Sequence, residues 1–409
     1  MKSLKLIDFI KRKIVALRHL LYRTIYIPYR AHQIRKKDSI RVVFLVSNIS
    51  WWKTELLYVE MLRHARFTPL LILTHSSGSE NFNKLKKHCE LNNYKYYERE
   101  NAEGSLWKEY HPDIIFYEQP YRGEFAENLK SLFCYISYGF NITTEDWGFK
   151  TDLIYNAWQV YYENENLCRW YNSHLGKGVY NGHSTGHIAM DALMIPKEEL
   201  VDPWKDKSNT KKRIIYSPHH SINPENWWQS STFLETGVMM LEIAEKYSNE
   251  VQWAFKPHPI LRNKLDSIWG KEKTDEYYAR WADVEWSQYE NGKYINLFKY
   301  SDALIHDCAS FIEEYFVTGN PVLYITNKDR TNSKWNDTVS KAYQLHYKGY
   351  SEESLEKFIK NVINDIDPLK EERSTFFNEH LTPPYGNTAC QNIINCILYH
   401  DMSKNMNIR

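Results

Sequence analysis

Arg41–Ser47 reads RVVFLVS, and Arg213–Ser217 reads RIIYS. Each is a continuous apolar run of strand length, without alternation of polar and apolar positions. That is the pattern of a strand buried on both faces, as in parallel sheets covered by helices. Outward from the first run, Thr54–Ala65 and Asn81–Asn92 have helical spacing, while Pro69–Thr74, Asp113–Tyr117 and Phe133–Ile136 are strand-like. Outward from the second, Val251–Lys256, Ala303–His306 and Pro321–Ile325 are strand-like, and Thr232–Tyr247, Phe311–Phe316 and Ser354–Ile363 are helical. Strands alternating with helices predict βαβ units and a parallel sheet, here twice over.

The polar stretch Pro196–Lys212 (PKEELVDPWKDKSNTKK) separates the two patterns and reads as a linker. The expected class is α/β of the GT-B type: two Rossmann-like domains facing a central cleft, preceded by an amphipathic helix. The expected division is 1–37 as a basic segment, 38–195 and 196–375 as the two Rossmann-like domains, and 376–409 as a C-terminal helix returning to the first. Doubly wound folds bind ligands beyond the carboxyl ends of their strands, so the site is expected in the cleft between both sheets.

The 409 residues carry 52 Lys and Arg against 51 Asp and Glu. Residues 1–37 hold eleven of the bases and one acid, Asp8, leaving 41 bases and 50 acids, a net of −9, in the body. An acidic body excludes a nucleic-acid-binding surface. Leu4, Ile7, Ile10, Ile14, Leu17 and Leu21 recur at three- and four-residue steps, one face of a helix with bases on the others. Such a helix suits an anionic membrane surface, each base adding about 1 kcal/mol; the alternative is a helix packed on its own domain. Tyr22–Tyr29 reads as a lead-in to the first strand. The six cysteines show no metal-ligand spacing, no apolar run is long enough to span a bilayer, and no signal peptide opens the chain. The expected location is therefore cytoplasmic, peripheral at the inner face of the plasma membrane. Trp227, Trp228, Trp281 and Trp286 would suit a sugar-lined groove or a core equally well.

Four segments fall at strand ends of the second half: Tyr216–Ser221 (YSPHHS), Lys256–Pro259 (KPHP), Ser301–Ser310 (SDALIHDCAS) and Gly319–Pro321 (GNP). Ala309, Ser310 and the amides after them open the helix expected over Phe311–Phe316, where unpaired N–H groups and the helix dipole favour a phosphate. His258, between two prolines, can offer an N–H to a phosphate oxygen or protonate a leaving group. Ser217, His219, His220, Lys256 and Asp307 complete a ligand-binding set. No acidic pair has magnesium-site spacing, so protein cations rather than a metal are expected to neutralise the ligand, and no cofactor is expected. The plainer alternatives are a turn at His258-Pro259, helix caps at Asp307 and Ser310, and loop residues at His219 and His220.

These segments resemble the CDP-glycerol glycerophosphotransferase family, the teichoic-acid polymerase-like enzymes, from about Gly182 to Cys390. The family's G-x-P-x-x-D is similar to Gly182–Asp191 (GHSTGHIAMD), which is longer and lacks the proline. Its strand followed by A-P-T resembles Tyr216–His219, and its H-P resembles His258-Pro259. Its S-D-x-x-I-T-D-Y-S-S resembles Ser301–Ser310, with Cys308 and Ala309 replacing a tyrosine and a serine. Its following K-P-x-x-x-Y strand resembles Asn320–Tyr324, and its late D-G-K-A-like turn resembles Tyr385–Ala389.

The resemblance implies a GT-B transferase that needs no metal. It would take CDP-glycerol, release CMP and leave glycerol phosphate on a hydroxyl of a lipid-linked or polymeric surface glycan. Residues 38–195 would then meet the acceptor and 196–375 the donor. His258 would handle donor phosphate and Ser310 the pyrophosphate, with Asp307 supporting them. The family's His-Gly histidine, the expected base, is replaced by Tyr138 in Cys134–Gly139 (CYISYG). An ordinary tyrosine, with a pKa near 10, is a poor base at neutral pH but can position an acceptor. Glu118 in Tyr117–Pro120 is the substitute base, with Glu145 and Asp146 behind it. Two other readings stay open. One is a glycosyltransferase using a CMP-sugar of the Kdo or sialic-acid type in capsule or lipopolysaccharide synthesis. The other is an inactive scaffold of a polymer-assembly complex.

Overall fold

The two apolar runs are the central strands of two separate parallel sheets. In a computed structural model of the chain, the residues described are 2–49, 52–75, 78–100, 106–118, 130–144, 151–174, 180–208, 210–222, 231–292, 294–327 and 335–399. The chain divides into two units, Met1–Asp191 with Pro383–Arg409, and Ala192–Thr382.

The first unit carries β1 (Ile40–Val46), β2 (Phe67–Thr74), β3 (Tyr96–Arg99), β4 (Ile114–Tyr117), β5 (Leu132–Ile136), β6 (Gln159–Tyr162) and β7 (Gly182–Ser184). All pair in parallel, in the order β3-β2-β1-β4-β5-β6-β7. Val42, Phe44 and Val46 join one core with Leu57, Met61, Ile393 and Ile397, while Val43 joins a second with Ile72, Ile115 and Tyr171. Burial on both faces explains why β1 reads as an unbroken apolar run.

The C-terminal helix Ala389–Leu398 belongs to this unit and is bracketed by charge. Asp191 accepts the N–H groups of Ala389 at 2.7 Å and Cys390 at 2.8 Å. At the other end, Arg35 donates to the carbonyls of Ile397 at 3.0 Å and Cys396 at 3.2 Å. Carboxylate at the amino end and guanidinium at the carboxyl end both complement the helix dipole. Asp191→Ala is therefore expected to cost about 2–3 kcal/mol, read by urea denaturation, with Asp191→Asn recovering part of the loss. Asp191, the last residue of the Gly182–Asp191 segment, anchors structure.

The second unit carries β8 (Lys212–Ser217), β9 (Val251–Phe255), β10 (Ser287–Tyr289), β11 (Ala303–His306), β12 (Val322–Ile325) and β13 (Tyr347–Gly349). These are again all parallel, ordered β10-β9-β8-β11-β12-β13. Each sheet thus starts in its middle, runs to one edge and restarts beside its first strand. The point where the direction reverses, β1/β4 in one unit and β8/β11 in the other, is where such folds bind ligands.

Three expectations need correction. Residues 196–212 are part of the second unit rather than a free linker: Trp204 is buried, and Lys205 bonds Gln288 and the carbonyls of Ala282, Val284 and Ser287. The basic segment does not act as one piece. Helix Lys2–Leu21 exposes Ile10, Ile14, Leu17 and Leu21, whereas Tyr22, Ile27, Ala31 and Ile34 are buried in the first core and the expected lead-in is helical. Lys37 is paired with Asp113 at 2.6 Å, and Arg35 holds the C-terminal helix, so these bases serve the fold. The helix expected over 311–316 is a single turn, Phe311–Glu314, tightening into a 3-10 turn at Tyr315–Thr318.

Candidate functional site

In the second unit, the loops after β8, β9 and β11 converge. β8 delivers Ser217, His219 and His220; β9 delivers Lys256 and His258; β11 delivers Asp307, Ala309 and Ser310. The rings of His219, His220 and His258 form a cluster, with centroids 4.3, 5.0 and 4.1 Å apart. Among the described residues this is the group whose metal-capable atoms come together, one ring nitrogen of each lying within 4.8 Å of the others.

The tautomers follow from the hydrogen bonds. Nδ1 of His219 accepts the N–H of Ser221 at 3.2 Å, and Nδ1 of His258 accepts that of Ile260 at 3.2 Å. Nδ1 of His220 lies 3.1 Å from the Lys264 ammonium, which also donates to the His220 carbonyl at 3.0 Å. A nitrogen that accepts an N–H carries no hydrogen, so all three neutral rings carry theirs on Nε2. Burial, then the neighbouring rings and Lys264, pushes His219 down to about 2. Burial, then His220, Lys256 and Lys264, pushes His258 down to about 3, and His220 is also lowered, first by burial and then by Lys264. At neutral pH the cluster is therefore a set of uncharged N–H donors with two ammonium groups nearby, and His258 is a neutral donor rather than a cation.

Two of the sequence-derived residues, Ser217 and Asp307, serve the loops. The Ser217 hydroxyl donates to the Lys256 carbonyl at 2.5 Å, tying β8 to β9. Asp307, buried, accepts the N–H of His219 at 2.6 Å and of Thr232 at 3.0 Å, so its carboxylate sets the loop that carries the histidines. Ser310 has helical backbone angles and makes no capping bond. The helix it opens is one turn long, and Glu313 and Glu314, buried in that turn, already place carboxylates at its positive end. That start is a single turn that already holds two carboxylates, unlike the longer helix the sequence suggested.

In the first unit, Glu118 follows β4 and accepts the N–H of Thr54, the residue before helix Glu55–Arg63, at 2.8 Å. It sits at that sheet's reversal point. Burial raises its pKa to about 7 against the opposing pull of Thr54 and Lys53. A carboxyl poised there can take up a proton near neutrality, as a general base must. Tyr138 is 45% exposed on the loop after β5. That loop is fixed by two groups the sequence did not single out. Glu163, buried and raised by burial to about 7, accepts Asn141 N–H at 2.7 Å and its side-chain amide at 3.0 Å. His187, lowered by burial to about 4, donates from Nε2 to the Ser137 carbonyl at 3.1 Å while its Nδ1 accepts the N–H of Ala189. Lys264 was missed as well; it lies in a polar helix, Leu261–Trp269, with no motif around it. Glu145, Asp146, Trp227 and Trp228 lie outside the described residues, and Trp281 is fully buried in the second core.

The raised carboxyl of Glu118 has a consequence for stability. Unfolded, it ionises near 4.5; folded, near 7. Between those values the folded chain holds more protons, so its contribution falls as pH rises through the window and stays reduced above it. Glu118→Gln is expected to be more stable than wild type by about 1 kcal/mol at alkaline pH and no more stable at acid pH, read from melting curves across the window.

No protein-family model matches the sequence, and no curated protein matches it. Solved structures do. UDP-GlcNAc 2-epimerase from Neisseria meningitidis bound to UDP-GlcNAc aligns with a TM-score of 0.57 at 15% identity, over 87% of this chain and 98% of that one. The MnaA–UDP co-structure from S. aureus aligns at 0.56 and 15% identity, over 91% and 98%. A variant of the wall teichoic acid polymerase TagF soaked with CDPG aligns at 0.57 and 13% identity, over 97% of both chains. At these identities the likeness establishes the fold, a two-unit α/β chain of the GT-B type.

Proposed function

We propose that the chain is a transferase moving glycerol phosphate, or a related polyol phosphate, from a CDP-activated donor to a hydroxyl of a lipid-linked or polymeric surface glycan. The observation that carries this is the cluster of neutral Nε2–H donors at His219, His220 and His258, backed by Lys264 and Lys256, at the reversal point of the second sheet. The likeness to the CDPG-soaked polymerase variant, and the family-like His258-Pro259 and Ser301–Ser310 segments, favour a cytidine diphosphate as the ligand. An acceptor oxygen attacks the β-phosphorus, the bond from that phosphorus to the CMP oxygen breaks, and the hydroxyl proton passes to a carboxylate, assigned to Glu118. His258 stabilises charge on the departing CMP, with Ala309 and Ser310 completing the donor side. Tyr138 positions the acceptor. Helix Lys2–Leu21, with Ile10, Ile14 and Leu17 exposed beside Lys13 and Arg18, suits an anionic leaflet. Among the described residues no helix is long and apolar enough to cross a membrane.

The structures bound to UDP-GlcNAc and UDP share the fold at similar TM-scores, which favours a sugar nucleotide as the second reading. Phosphorus NMR of products separates the two. Consumption of CDP-glycerol, release of CMP and a new phosphodiester on a lipid-linked acceptor support the proposal. Indifference to CDP-glycerol, with turnover of UDP-GlcNAc or a CMP-sugar, overturns it.

A further inference from the structure

We propose that His220 and His258, with His219 beside them and Lys264 behind, form a proton-coupled anion cradle that accepts a diphosphate and rejects a divalent metal. This deepens the reading above and rests on it for the identity of the diphosphate.

Three clustered imidazoles suggest a zinc site at first sight, since His nitrogens at such spacing are common ligands. The hydrogen-bond pattern argues otherwise. To bind a metal through Nε2, each ring must move its hydrogen to Nδ1. For His220 and His258 it would there point at the Lys264 ammonium and the N–H of Ile260, donor against donor; for His219 it would meet the N–H of Ser221 together with that residue's hydroxyl at 2.5 Å. Two ammonium groups beside the rings, Lys256 after β9 and Lys264 on helix Leu261–Trp269, add repulsion for a cation and attraction for an anion. Asp307, after β11, is bound to the backbone N–H groups of His219 and Thr232.

The proton coupling follows from charge. The charged groups beside the rings are Lys256 after β9, Lys264 on helix Leu261–Trp269, and Asp307 after β11, which takes the N–H of His219. In the empty cluster, burial and mutual repulsion keep the rings neutral. A diphosphate brings two negative charges that offset both effects, so one ring, assigned to His220, becomes protonated as the ligand binds while His258 stays a neutral donor. Linkage then requires affinity to rise as pH falls.

Calorimetric titration with CDP-glycerol and with UDP-GlcNAc, in buffers of different ionisation enthalpy, tests this. Both ligands are disubstituted diphosphates without a pKa near neutrality, so any proton taken up comes from the protein. The expected result is uptake of about 0.5–1 proton per site, with affinity for CDP-glycerol falling up to ~10-fold per pH unit above neutrality. Uptake is expected to drop at least by half in His220→Asn and not to fall in Lys264→Met, where the ammonium that opposes ring protonation is gone. Binding of CDP-glycerol without proton uptake overturns the cradle and leaves the proposed donor intact. Zinc binding that His220→Asn abolishes also overturns it. Binding of neither nucleotide defeats the cradle and the donor assignment together.

Discussion

His258→Ala is expected to lower turnover of a CDP-activated polyol about 10²–10³-fold while leaving the melting temperature almost unchanged. His258 is only partly buried, and its Nδ1 is held by the N–H of Ile260 in its own loop, so truncation leaves no large cavity. What it removes is a fixed Nε2–H directed by that bond, and a preorganised donor to developing phosphate charge is worth several kcal/mol. His258→Gln discriminates between roles. If the ring acts as a hydrogen-bond donor, the amide recovers part of the activity; if it transfers a proton, none returns. Because the ring is held neutral, donation is the expected role, and the loss is expected chiefly in kcat.

Asp307→Ala is expected to be the most destabilising of the site substitutions, at about 3–4 kcal/mol, with activity lost alongside. The carboxylate is buried and takes two backbone N–H groups, at 2.6 and 3.0 Å, from opposite ends of the loop between β8 and the helix Phe233–Lys246. Bonds to a charged acceptor contribute about 1.5–3 kcal/mol each, and their loss leaves buried donors unpaired. Asp307→Asn keeps one acceptor and is expected to recover roughly half. Urea denaturation followed by tryptophan fluorescence measures the difference. A loss below about 1 kcal/mol for Asp307→Ala would show that the loop is held by other contacts.

The sheets were legible where strands are central. β1, β8, β9, β11 and β12 are buried on both faces and announce themselves as apolar runs, each found within two residues of its observed ends. The edge strands were not, because an edge has no second neighbour to hide. β3 reads YYER, β10 SQY and β13 YKG, too short and polar to separate from loops. β6 was hidden differently: its Gln159 is buried, bonded to the Cys396 carbonyl and to Tyr161, a partner no local pattern reveals.

The site was legible as strand-end residues but not as geometry. His219, His220 and His258 could be named from their places after β8 and β9. That their Nδ1 atoms all accept, leaving Nε2–H donors, depends on turns two residues long and on Lys264, forty-four residues from its partner. Ser217 and Asp307 share the motif's spacing with ligand-facing residues, yet both bind backbone, which sequence spacing does not distinguish. Glu118 was found as a polar residue at a strand end; its raised pKa comes from burial that only the folded unit supplies.

The central claim is that the second unit binds a cytidine diphosphate through its histidine cluster. The most direct measurement is the melting temperature in the presence of CMP, CDP, CDP-glycerol, CDP-ribitol, CMP-sugars, UDP-GlcNAc and GDP, for wild type and His258→Ala. A ligand at ~100 times its Kd stabilises the folded state by about 2.7 kcal/mol, enough to read as a shift. The account predicts stabilisation led by the CDP-polyols and reduced in the variant. A flat response to every cytidine compound, or a larger shift with UDP-GlcNAc or GDP, would contradict it.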